Sequence, residues 1–151
     1  MSMESLEAIT ASIEKRIGEL EAMASDIVDR YWEQVMRFEN SNPGWKNKSG
    51  LRLRCYRKGN YLRIEWTGLK WYGAKAGGSG PVLKYIPKGK GAHIYPLSRI
   101  FGYAKEWEKP LIEATEKKLA WIRREAFHLN KALFSIRYAK AVAMQAELVE
   151  E

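Results

Sequence analysis

In Leu51-Arg52-Leu53-Arg54-Cys55 a guanidinium stands at every second position, and Tyr61 and Arg63 repeat that spacing a few residues later. A guanidinium bonds a phosphate, or the O6 and N7 edge of guanine, through two parallel N–H donors. Strict alternation is the period of a half-buried strand. Leu51, Leu53 and Cys55 are therefore expected on a core face. Arg52 and Arg54 face outward with Tyr56, Tyr61 and Arg63. Arg57-Lys58-Gly59-Asn60 reads as the hairpin turn, with Lys58 projecting from its tip beside Arg57, because Gly and Asn tolerate positive φ. Lys84, on a third strand, joins the same face. Trp71 and Tyr72 beside Lys70 suit stacking on exposed bases. Lys88 and Lys90, on Gly-spaced flexible backbone, suit phosphate contact. These residues form one candidate nucleic-acid-binding surface.

The charge distribution points the same way. The chain has 151 residues and a net charge of +8. Residues 1–44 hold 4 basic and 9 acidic residues, and residues 45–99 hold 13 basic residues and one acid, Glu65. Residues 100–151 hold 9 basic and 8 acidic residues. A charge serving only solubility is spread along the chain with mixed signs. A segregated block is the electrostatic footprint of a nucleic-acid binder. Glu65 reads as a cross-strand ion-pair partner of the arginines. Arg124 and Lys131, farther on, are possible secondary phosphate contacts. The other charges of that segment, Arg123, Glu113, Glu116 and Glu125 among them, read mostly as a solvated helix surface.

Residues for covalent or acid–base chemistry are scarce. The two histidines, His93 and His128, have no carboxylate or cysteine at metal-ligand spacing, so neither a metal nor a cofactor is expected. Cys55, the lone cysteine, has the parity of a small core residue. Gly77-Gly78-Ser79-Gly80 lacks the spacing of a phosphate-binding loop. The expected protein is not an enzyme. One cysteine, no secretory h-region and no membrane-length apolar run suggest a cytoplasmic protein.

The elements that position these residues follow from periodicity. Apolar residues from Leu6 through Ile9, Ile13, Ile17, Leu20, Met23, Ile27, Tyr31 and Val35 to Phe38 step by three and four, which predicts a helix from Glu4 to about Phe38. Ser2 or Ser5 is its candidate cap, and Asn40 to Gly44 ends it. Residues 51–55, 61–66 and 82–86 are expected strands, with a mobile loop over 74–81. Ser98 is the candidate cap of a short helix. Pro110 starts or kinks a long one, whose stripe runs from Leu111 to Ile136. The expected fold is α+β, in the order α-β-β-β-α: two long antiparallel helices flanking a three-stranded antiparallel sheet. We expect a single domain, with a helix over 1–44, the basic sheet over 45–97 and a helical segment over 98–151.

That order of features resembles the MobI-like auxiliary mobilisation proteins of integrative and conjugative elements. The resemblance rests on Tyr31-Trp32 in the acidic first helix and on Tyr61-Leu62-Arg63-Ile64-Glu65-Trp66. It rests also on Tyr85-Ile86-Pro87-Lys88-Gly89 and Trp121-Ile122-Arg123-Arg124. It implies binding at an origin of transfer beside a separate relaxase, which would do the nicking. It supplies no catalytic residue. The leading expectation is a non-catalytic accessory protein for double-stranded DNA, with the helical hairpin free for a protein partner or a homodimer. The alternatives are a binder of RNA or single strands, and an interaction module whose basic face docks an acidic protein.

Overall fold

The computed structural model describes residues 3–71, 81–91 and 93–150. Helix α1 spans Glu4–Ser41 and α3 spans Lys109–Glu150. Strands β1 (Leu51–Lys58), β2 (Tyr61–Trp71) and β3 (Pro81–Tyr85) lie between them, followed by the short helix α2 (Leu97–Phe101). The α+β order expected from periodicity is the observed one. The two long helices run antiparallel: Phe38 stacks on Trp107 with ring centroids 4.0 Å apart, and Arg16 Nε reaches Glu125 Oε2 at 2.6 Å.

The sheet has the order β1-β2-β3 and is antiparallel throughout. Its inner face puts Leu51, Leu53, Ile64 and Trp66 into the core, against Leu20, Ala24, Val28, Tyr31 and Val35 of α1. Ile112, Leu119, Ile122 and Ala126 of α3 complete it. Among the described residues Trp66 is the largest of the fully buried side chains; its ring meets Tyr31 edge-on at 5.1 Å. Such a pair adds about 0.5–1.5 kcal/mol to the burial of the rings.

Several details differ from the sequence reading. The α1 stripe shifts: Ala24 and Val28 are buried, whereas Ile9 and Met23 are each 47% exposed. From Leu20 the buried face advances by four to Ala24 and again to Val28, so Met23 falls outside it. Met3 precedes α1 without a side-chain cap, Ser5 lies inside that helix and Ser2 outside the described residues, and Pro96 precedes α2, which leaves Ser98 inside it. The hairpin turn is Gly59-Asn60 alone, with Gly59 at φ +60°, and Arg57 and Lys58 still belong to β1. The third strand ends at Tyr85, one residue early, and most of the loop expected over 74–81 lies outside the described residues. Pro110 falls in the first turn of α3, where its missing N–H costs nothing.

Close packing fixes the far end of the sheet. A Cβ on Gly68 would stand 2.5 Å from the Tyr103 ring, so only glycine lets that ring close over β2. At the free edge of β1, Trp32 Nε1 donates to the Leu53 carbonyl at 2.9 Å.

Candidate nucleic-acid interface

The register fixes which side chains share the outer face. Lys58 stands opposite Tyr61, Tyr56 opposite Arg63, Arg54 opposite Glu65 and Arg52 opposite Thr67. Partners across a strand pair share a face. Arg52, Arg54, Tyr56, Lys58, Tyr61 and Arg63 are all exposed there. The tyrosines hold the arginines: the Arg54 guanidinium lies 5.0 Å from the Tyr56 ring centroid, and that of Arg63 lies 5.9 Å from Tyr61. Glu65 ties the group together. It accepts from Arg54 Nη2 at 3.2 Å and from the Tyr56 hydroxyl at 3.3 Å. With Arg54 63% exposed the ion pair is weak. The result is a ribbon, two-stranded from Arg54 to the turn and joined by β3 at Arg52, bearing four cations and two phenol rings over one acid.

Other residues grouped with that face by sequence stand elsewhere. Arg57 points to the helix side, because strand parity alternates and the turn begins only at Gly59. Its Nε donates to Gly59 O at 2.8 Å, its Nη2 to Asn60 Oδ1 at 2.9 Å, and its Nη1 lies 4.0 Å from Glu21 of α1. Lys84 pairs with Gly68, and Lys70 with Val82. Both therefore carry the parity of Trp66 and the helix-facing side. The β3 residues that share the outer parity are Leu83 and Tyr85, 52% and 81% exposed. Trp71 ends β2, and Tyr72 lies outside the described residues.

Lys88 and Lys90 occupy the connector from β3 to α2. That backbone is tethered, contrary to the flexible segment expected. Ile86 and Tyr95 are buried, Gly89 N donates to Ile94 O at 2.8 Å, and Arg99 Nη1 holds the Pro87 and Lys88 carbonyls. Lys88 is half-buried; burial, then the charges of Arg123 and Arg63, lower the pKa of its ammonium. Its Nζ lies 5.9 Å from the Tyr95 ring centroid. Lys90 is exposed in the turn.

The anchor of this arrangement escaped the sequence reading. Glu116 and Arg123 form a buried ion pair, each side chain 4% exposed. Glu116 accepts from Trp66 Nε1 at 2.8 Å, from the Tyr95 backbone N–H at 2.9 Å and from both Arg123 terminal nitrogens. Arg123 also donates to Ile64 O at 3.0 Å and to His93 O at 2.9 Å. One pair thus fastens α3 to the core strand and to the connector. Its signal was legible: positions seven apart, interleaved with Thr115, Leu119 and Ile122, belong to the buried face. Over Arg123 lies Tyr95, whose hydroxyl burial pushes up to about 12.

The histidines meet as the sequence did not foresee, both lining one groove beside α3. Desolvation first, then the charges of Arg124, His128, Lys88 and Lys131, hold the His93 imidazole below its ordinary pKa. A cationic neighbourhood of that kind repels a metal ion. Among the described residues no group of three or more His, Cys, Asp or Glu is placed to hold one. Cys55 is partly buried, and desolvation raises its thiol pKa, which keeps it protonated. Among the described residues, no helix is long and apolar enough to cross a membrane.

Neither among curated proteins nor among solved structures does any match the chain. A family model does: the one described as MobI protein aligns with residues 20–137, which take in most of α1, the whole sheet with its arginines, and the Glu116–Arg123 anchor. The chain belongs to the MobI protein family.

Proposed function

We propose that this protein is a non-catalytic accessory factor of DNA mobilisation that grips duplex DNA with the outer face of its sheet. The observation that carries the reading is the segregation of Arg52, Arg54, Lys58 and Arg63 on one exposed ribbon whose reverse side is the core. A two-stranded ribbon fits the major groove, where arginines reach guanine edges or the flanking phosphates. Family membership supports an accessory role in mobilisation. In this reading the DNA site is an origin of transfer, a separate relaxase supplies the nicking chemistry, and the protein works in the cytoplasm.

The test is fluorescence anisotropy with duplex DNA carrying the origin of transfer, titrated at rising salt. Affinity falls with salt at about 0.9 log unit per log unit for each phosphate contact. R52A/R54A/R63A is expected to flatten that slope by up to about 2.7 if all three meet phosphates. Binding that ignores the triple substitution, or that is absent at low salt, refutes the proposal.

A further inference from the structure

A groove of about 460 Å³ lies where the connector crosses α3, and none of its lining residues belongs to the arginine ribbon. Ile94, Leu97, Ala120 and Trp121 give it apolar walls, and His93 and His128 line it as well. Its size is that of a small-molecule site. Trp121 is 69% exposed. The Arg124 guanidinium lies 5.7 Å from the Trp121 ring centroid, and Lys131 Nζ lies 4.6 Å from that of Phe127. Of the two acids lining the groove, Glu113 lies 3.9 Å from Lys117, and Glu116 is spent on Arg123. The groove thus joins an exposed aromatic plane to the guanidinium of Arg124, with Lys131 one helical turn beyond His128 at its end of α3.

A flat ring in an apolar slot with a polyanion along its rim describes an unstacked nucleotide base on its strand. Duplex bases, stacked on both faces, cannot enter such a slot. We propose that this groove binds single-stranded nucleic acid, a base stacking on Trp121 while Arg124 and Lys131 meet the adjoining phosphates. The inference rests on the reading of the protein as a DNA binder and adds to it a second, strand-specific site.

The experiment uses the full chain with labelled oligothymidine and oligouridine of about twelve nucleotides, within the roughly 4–16 that single-strand sites span. The duplex serves as a parallel ligand. W121A is expected to weaken binding of the strand about 5- to 100-fold, W121F to restore most of it, and the duplex affinity to change less than about twofold. The stronger of the two oligonucleotides tells DNA from RNA. Because Trp121 is exposed, its variants are expected to melt with the wild type, a control read by circular dichroism. Three results overturn the inference: no strand binding by the wild type, strand affinity unmoved by W121A, or an equal loss on the duplex. A groove filled by a second copy or by a protein segment gives the second of these. Failure of the ribbon reading shows separately, as duplex binding indifferent to R52A/R54A/R63A.

Discussion

Replacing Glu116 by glutamine keeps the side chain's size and removes its charge. Arg123 is then left enclosed with two carbonyls, Ile64 O and His93 O, and no counter-ion. The amide presents one acceptor where the carboxylate offered two, and its NH₂ must face donors that the carboxylate accepted. Stripping one partner from a buried pair costs about 3–5 kcal/mol. In a chain of this size each kcal/mol moves the melting midpoint by roughly 2–4 °C, so E116Q is expected to melt about 6–20 °C lower. Urea titration followed by circular dichroism measures it, with an unchanged m-value showing that the unfolded reference is the same. E116M/R123M removes both charges and should cost less than the two single changes summed, since neither ion is left alone. It will not regain the wild-type midpoint, because Trp66 Nε1 and the Tyr95 N–H lose their acceptor. A loss below about 1 kcal/mol for E116Q would show that the pair is hydrated, and the anchoring argument fails with it.

Two further outcomes follow from the same packing. R57A should lower stability by about 1 kcal/mol, through lost bonds to the turn, and leave duplex affinity nearly intact. R52A, on the outer face, should do the reverse; equal effects on binding would place both arginines at the DNA. Glu108 is buried, and desolvation raises its carboxyl pKa above the ordinary 4.5 despite bonds from Ser49, the Lys105 N–H and Tyr31. A folded-state value above the unfolded one means that the native state holds the proton more tightly. Stability from this group therefore rises as pH falls through the folded value toward about 4.5. E108Q should lose that component, seen as a changed difference in urea midpoint from wild type between neutral and mildly acidic pH; parallel curves would count against it.

Alternation made the hairpin legible. Period two assigns Arg52, Arg54 and Arg63 to one face and Leu51, Leu53 and Ile64 to the other with no tertiary information, and the register agrees. Arg57 was misplaced because a turn of Gly and Asn was drawn two residues too long, which hid its parity. The side of Lys84 depends on its pairing with Gly68, a contact across residues 72–80 that no local pattern specifies. Charge misled at Glu116 and Arg123, since ionic residues on a helix read as solvated although their spacing matched the apolar stripe. The Trp121 groove needs the connector laid over α3, a long-range arrangement with no local signature.

The indole of Trp32 has a consequence beyond the fold. β1 is an edge strand, and its outward carbonyls are a template on which another chain's strand can be laid. Trp32 occupies the one on Leu53, in the first half of the strand, and sets a ring across the approach. An incoming strand meets an interrupted ladder beside a row of arginines, so growth of fibres along this side is discouraged. A basic ribbon must stay bare to meet its ligand, and a single tryptophan from the neighbouring helix lets it stay bare without becoming adhesive to its own kind.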